Sequence, residues 1–522
     1  MRIAQKERNE RIIALTLSQE ERKSRPDRIR ITGRMTCLGR DYPVLEEEYP
    51  LAEKSPVDGG EEILFSVPYF GTVRITATLY RGEETLARRE EKIHVAADEY
   101  FIAPLIATMP VLIFALKYFS DLPRTGEGGS PIPTILTSSR CQDLTREELP
   151  EHMYLNPYLG AEDWPPQGGD LLKEQLPKLR QYLRELRRGN PDARFTFFFN
   201  DSHLEWLIPK LYWSIPKKKR RLRLITDGGR TWFFFRKFFD SPCKPNKVLR
   251  RQSEILAITH ILSPAHFFPF IRRYPTWQIS YFIGHLIQYV EAPAWPLTLR
   301  EPDAKWWVMS RERFQANDLR FLKKFQESEG VEEIDIPELY RKAEEKGNLP
   351  ELFCLLRYDD RLIREIEEEG KVPVLAQGGN KVNHENFPKY LRKLREQLGE
   401  EYDLLVKSHP GATEEARTLI EDAETDGTFK MLYSEAPAEL FLLRHPKMLL
   451  AGYPSTTFST SVCPDRHLAL FDMSREEAMN DPLTRGYAPT VRWFIPSPDG
   501  EIEETDPFAV AAAGEDTLPP AR

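Results

Sequence analysis

The sequence predicts an α/β protein in which two Rossmann-like halves follow a small all-β module of immunoglobulin-like type. Three observations point there. From Arg28 to Ala97, short runs alternate apolar and polar residues, as in RIRITGRMTCL, EILFSVPYF, TVRITATLYRG and EEKIHVA, with turn residues between them. After Glu99 the texture changes to buried strands alternating with amphipathic helices, and the pattern occurs twice. Several of those strands stop at polar residues, the place where open α/β sheets hold ligands. A length of 522 residues also exceeds what one core organises, so more than one domain is expected.

In chain order, residues 1–27 are charged throughout and read as a helical or loose leader, without the apolar segment of a signal peptide. The β module takes 28–98, and no cluster in it offers chemistry. The first α/β half is expected over 99–270, with 476–496 returning to it. It opens with strand 101–104 and an apolar helix starting near Pro110; Pro104, Pro110 and Lys117 interrupt this stretch and argue against a membrane span. Asp170 is placed to cap an amphipathic helix that aligns Leu172, Leu176, Leu179, Leu183 and Leu186, and Gly189 and Pro191 end it. Strands 195–199 and 222–225 follow, then a mostly helical region over 240–370. The second half, 271–475, carries strands at 372–376, 403–406, 429–433, 448–451 and 467–471, with helices between them. The acidic, Ala/Pro-rich segment 497–522 reads as a disordered tail.

Composition excludes several classes. Hydrophobic and charged contents of 41% and 30% are those of a soluble globular protein, and a net charge of -8 argues against a general nucleic-acid binder. Cys37, Cys141, Cys243, Cys354 and Cys463 lack CxxC spacing and support neither a disulfide framework nor a zinc site. There is no Walker lysine loop, GxSxG elbow or HExxH pair. Glu333-Ile334-Asp335, in a charge run before a helix, reads as a solvated face. The dense basic run Lys217–Arg223, KKKRRLR, reads as a solvated loop before a strand; contact with an anionic acceptor or a glycolipid membrane surface is the minority alternative. The chain as written reads as soluble, cytoplasmic or peripheral to a membrane.

The candidate chemistry lies at strand ends. Asp227 stands in Thr226-Asp227-Gly228-Gly229, where a tight turn leaves a carboxylate able to take a proton from an attacking hydroxyl; a plain turn cap is the simpler role. Asn200-Asp201-Ser202-His203 ends the neighbouring strand, with His203 able to hydrogen-bond a sugar and Asp201 a rival base or a helix cap. In Lys407-Ser408-His409-Pro410, Pro410 holds His409 extended, and its imidazole can offset charge on a departing phosphate. Glu439 sits near a helix start, suited to a base amino group or a ribose hydroxyl, and equally to the helix dipole. Ser455 and Thr456 open a helix after an apolar strand and can cap it or cradle phosphate.

In this order Asp227-Gly228, Lys407-Ser408-His409-Pro410, Glu439 and Ser455-Thr456 resemble the motif set of bacterial GT-B sialyltransferases, some of which carry an N-terminal immunoglobulin-like domain. Phe199–His203, Asn480-Asp481-Pro482 and Val491–Phe494 resemble further segments of that family, and the likeness covers roughly residues 100–495. The resemblance implies two Rossmann-like domains facing a cleft. It also implies an inverting, metal-independent transfer of sialic acid from CMP-sialic acid to a galactose-containing acceptor, with no cofactor. By the same resemblance Asp227 is the base and His409 stabilises the leaving CMP phosphate. Lys407, Pro410, Glu439, Ser455 and Thr456 bind the donor, while Asn200 and His203 bind the acceptor. Thr226 stands where the family has a first acid, and Gln377-Gly378-Gly379-Asn380 lacks its threonine-rich, tryptophan-containing segment. Other transferases of acidic sugars (Kdo or polysialic acid type) and a non-catalytic glycan-binding protein of the same fold are the alternative readings.

Overall fold

The computed structural model describes residues 1–37, 40–51, 62–126, 131–138, 144–145, 148–155, 171–201, 207, 211–228, 231–232, 303–314, 319–378, 386–408, 427–453, 455–459, 466–471, 492–496 and 502–505. Two compact units divide the chain: Met1–Ile106 with Leu122–Ile225 and Pro245–Trp306, and Ala107–Asp121 with Thr226–Lys244 and Trp307–Arg522.

Seven antiparallel strands open the chain: β1 (Arg2–Gln5), β2 (Ile12–Thr16), β3 (Arg28–Cys37), β4 (Arg40–Pro50), β5 (Glu62–Ser66), β6 (Gly71–Arg81) and β7 (Glu84–Val95). They form two sheets, of order β1-β2-β5 and β4-β3-β6-β7. Period-two alternation buries Ile29 and Ile31 on β3, and Val73, Ile75, Ala77 and Leu79 on β6. The Gln5 side chain joins the sheets, donating to Ala96 O at 3.0 Å and accepting from Ala96 N at 3.2 Å. Residues 1–27 are therefore built into the β module rather than forming a separate helical or loose segment. Ile12–Thr16 forms a pleated strand with Ile13 and Leu15 fully buried. The charges that read as helical fall in turns and in helix α1 (Gln19–Lys23), which Ser18 and Glu21 close with a capping box.

The first α/β sheet contains β8 (Glu99–Pro104), β9 (Thr134–Thr137), β10 (Met153–Leu155), β11 (Arg194–Asn200), β12 (Arg220–Ile225), β13 (Ala304–Val308) and β14 (Val331–Glu333), with helices α2 (Thr108–Ser120) and α3 (Leu171–Gly189). Its order, β10-β9-β8-β11-β12-β13-β14, is the doubly wound order, and every pair from β10 to β12 is parallel. Strands covered on both faces read as unbroken apolar runs, and Phe195, Phe197, Phe198 and Phe199 are all buried. The expected boundary at 270/271 falls in 233–302, outside the described residues. β13 and β14, which fall within the expected second half, pair in the first sheet. α2 is buried nearly all round and packs on the helices Ile336–Glu345 and Leu349–Leu355; Asn348 donates to Phe119 O at 2.7 Å. No helix among the described residues is long and apolar enough to cross a membrane.

The second sheet repeats the design with β15 (Val372–Gln377), β16 (Tyr402–Lys407), β17 (Lys430–Met431), β18 (Leu449–Gly452), β19 (His467–Phe471), β20 (Arg492–Pro496) and β21 (Ile502–Thr505). Its order is β17-β16-β15-β18-β19-β20-β21, parallel up to β20, with β21 added antiparallel. The core under it packs Val374, Tyr390, Leu391, Leu404, Val406, Tyr453 and Phe471. Arg492–Pro496 does not return to the first half: its aromatic run continues the second sheet beside β19. The segment from 497 is not wholly a tail, since Ile502–Thr505 pairs antiparallel with β20. Residues 476–491 lie outside the described set.

Candidate active site

In each sheet the strand order reverses between two neighbours, β8 and β11 in the first and β15 and β18 in the second. The loops leaving those strands diverge, and the gap beyond their carboxyl ends is the ligand position of such sheets.

In the second sheet the ends of β15 and β18 meet closely. Gly452 has φ +127, and a Cβ there would lie 2.7 Å from Gln377 N and nearer still to Gln377 O, so only glycine fits. Tyr453 N donates to Gln377 O at 3.3 Å, and Ser455 Oγ donates to Gln377 Oε1 at 2.9 Å. One strand away, Lys407 ends β16 buried at 6% exposure, and its Nζ donates to the carbonyl of Ser434. The Ser434 Oγ in turn donates to Arg357 O at 3.3 Å and accepts from Ala436 N at 3.3 Å, so the lysine's anchor is itself held.

Glu439 lies in the first turn of the helix Ala438–Arg444 and is 4% exposed. Its Oε1 accepts a 2.8 Å hydrogen bond from Thr457 Oγ1, in the helix Thr456–Ser459 after β18. Burial raises its pKa above the usual carboxylate value; its own backbone N–H, the Thr457 hydroxyl and the Lys407 charge pull it back only in part. A carboxyl, an ammonium group and two hydroxyls thus border the carboxyl edge of β16 and β18. That set can bind a polar heterocycle and a phosphate.

In the first sheet, Asn200 ends β11 fully buried. Its Oδ1 accepts from Ile106 N at 3.3 Å, which ties the loop after β8 to the end of β11. Asp201 is engaged by Trp306, whose Nε1 donates to Asp201 Oδ2 at 3.1 Å. That contact gives Asp201 a structural role. Asp227, 9% exposed, sits two residues past β12 in a turn locked by hydroxyls. Thr226 Oγ1 accepts from Gly228 N at 3.3 Å and donates to Thr231 Oγ1 at 2.9 Å, while Asp227 N donates to Thr231 Oγ1 at 2.8 Å. Gly228 has φ +67, which its lack of a side chain permits. Thr226, fully buried, therefore shapes the turn that displays Asp227.

Of the expected site residues, Lys407, Glu439 and Ser455 gather at the second sheet's carboxyl edge, and Thr456 opens the helix there. Asn200 and Asp227 stand at the ends of neighbouring strands of the first sheet. His203, His409 and Pro410 lie outside the described residues. Reading the sequence missed Gln377, Ser434, Thr457 and Thr231. The hydroxyl triplet Ser455-Thr456-Thr457 held a signal for Thr457, since the third residue shares the helix but not the capping position.

No protein-family model matches the chain, and no curated protein matches it. Solved structures do. The 2,6-sialyltransferase of Photobacterium sp. JT-ISH-224, in a complex with the donor product CMP and the acceptor substrate lactose, is 13% identical, covers 91% of each chain and superposes with a TM-score of 0.50. The sialyltransferase of Photobacterium damsela is 14% identical over 92% of this chain and 97% of its own, with a TM-score of 0.47. The GT-B domain of the Photobacterium damselae enzyme is 14% identical over 76% of this chain and 100% of its own, at 0.48. At such identities the first likeness speaks to architecture, and it covers too much of the chain to leave out the N-terminal β module. The chain has the GT-B fold, with two Rossmann-type sheets preceded by an antiparallel β module.

Proposed function

We propose that the protein is a glycosyltransferase that moves sialic acid from CMP-sialic acid to a galactose-containing glycan, inverting configuration in one displacement without a metal. The observation that carries this reading is the buried Glu439 carboxyl, hydrogen-bonded by Thr457 at 2.8 Å beside Lys407. Cytosine offers an amino donor next to a ring-nitrogen acceptor, whereas uracil offers the reverse pair. A carboxyl whose proton is retained more readily than usual matches the cytosine edge by accepting from one group and donating to the other.

Ser455 and Thr456 take the phosphate at their helix start. His409 offsets the charge that grows on the phosphate as the glycosidic bond breaks. Asp227 removes the proton of the attacking hydroxyl, and Asn200 and His203 orient the acceptor. The reading requires the base and the leaving group on opposite faces of one anomeric carbon, the inverting arrangement. A sialyltransferase crystallised with CMP and lactose shares the architecture, which adds support at the level of fold. Incubation with CMP-sialic acid and lactose tests it: CMP release coupled to a sialylated lactose is expected. Turnover of UDP- or GDP-sugars with none of the CMP donor would overturn it.

A further inference from the structure

We infer that the flank of the first α/β half formed by α3 and the segment before β12 is a docking surface for an anionic membrane. This goes beyond the proposed reaction and does not rest on it. On α3, Arg180, Arg184 and Arg188 recur every fourth residue and are exposed, and Arg187 lies within the same arc of the helix. Arg187 Nη1 donates to Ser214 O at 2.9 Å, which brings that arc against the turn Tyr212–Ser214 and the following Lys217–Lys219. Some of the charge is neutralised: Arg188 pairs with Glu185, Lys219 with Asp192 at 2.7 Å, and Arg221 with Glu99 at 3.7 Å. Arg180, Arg184, Arg187, Lys217 and Lys218 face no carboxylate among the described residues. In a chain of net charge -8, such a concentration on one flank is a local inversion of sign.

Position separates this patch from the candidate active site. Arg187 and Lys217–Lys219 precede β11 and β12, whereas Asn200 and Asp227 follow them, about 20 Å away at the rise of a strand. Binding there leaves the carboxyl edge open. A lipid surface suits the patch better than a polynucleotide. Trp213 stands partly exposed beside the lysines, the residue type that settles among headgroups.

The test is cosedimentation of the full chain with phosphatidylcholine vesicles, with and without phosphatidylglycerol, across a salt series. Binding to the anionic vesicles only, weakened by salt, is expected. The variant Arg180→Glu/Arg184→Glu/Lys217→Glu/Lys218→Glu should lose roughly tenfold or more in partitioning. Because these side chains are exposed, its melting temperature should stay at the wild-type value. Should it fail to fold, Lys217→Glu/Lys218→Glu alone repeats the comparison. Equal partitioning into neutral vesicles, an unaffected variant, or tighter binding to a single-stranded oligonucleotide than to the anionic vesicles overturns the inference.

Discussion

The hydroxyl of Thr457 donates to the carboxyl of Glu439 at 2.8 Å, joining the helix after β18 to the helix before it. Both residues are buried, Glu439 at 4% and Thr457 at 2% exposure. The bond sets the orientation of the carboxyl, and burial sets its proton affinity.

Burial makes stability depend on pH with a definite sign. The folded pKa of Glu439 is raised above the ordinary 4.5, so below 4.5 both folded and unfolded states hold the proton and no penalty exists. As pH climbs through the raised value, the folded state must ionise a buried acid and stability is lost. Glu439→Gln removes that loss. Its melting temperature should exceed that of the wild type at neutral pH, with the gap closing as pH falls to 4.5; a gap independent of pH would contradict this.

Gly452 tests the close approach of β15 and β18. Gly452→Ala forces a Cβ onto the Gln377 backbone at a φ of +127. The expected cost is about 2–4 kcal/mol in chemical denaturation, with loss of nucleotide binding because Ser455 and Thr457 hang from the same junction. A variant as stable as the wild type would mean that the two strand ends stand further apart.

The β module should be inseparable from the first half. Phe70 packs edge-on against Tyr100 and Tyr154 at 5.8 and 5.7 Å, Tyr182 donates to Phe70 O at 2.8 Å, and Thr72 donates to the buried Glu185 at 2.6 Å. A chain beginning at Asp98 would strip these partners and leave apolar rings and a carboxylate uncovered. Insoluble expression or a non-cooperative melt is expected. A soluble truncated protein melting at the full-length temperature would make the module a mere appendage.

Asp227→Ala addresses the proposed base. Transfer should fall roughly a hundredfold or more while CMP affinity stays near the wild-type value, since Thr226 and Thr231 keep the turn. Unchanged turnover would remove Asp227 from the chemistry.

Much of the fold was legible because buried parallel strands are continuous apolar runs. Phe195–Phe199 and Leu449–Ala451 stand out for that reason. β13 and β14 were not legible. Ala304–Val308 lies within a long aromatic-rich region, and Val331–Glu333 is too short to show a period. β1 and β2 were hidden by flanking charges that mimic a helical surface. Within the candidate site, Lys407, Glu439 and Ser455 could be named from strand and helix ends. The hydroxyl triplet pointed to Thr457, but its partner did not show, because the bond depends on helical phase and on an acid 18 residues earlier in the chain. Likewise Thr226 reads as a missing acid until the turn shows its hydroxyl bonding Gly228 and Thr231.

The account stands or falls on a cytidine nucleotide seated against Glu439 and Lys407. Thermal denaturation of the intact protein with CMP, UDP and GDP in turn tests this most directly. A ligand that binds only the folded state raises the melting temperature, by several degrees once it is in roughly hundredfold excess over its dissociation constant. CMP should do so, UDP and GDP should not, and Glu439→Ala should abolish the effect. A CMP shift absent from the wild type, or equalled by UDP, would contradict the account.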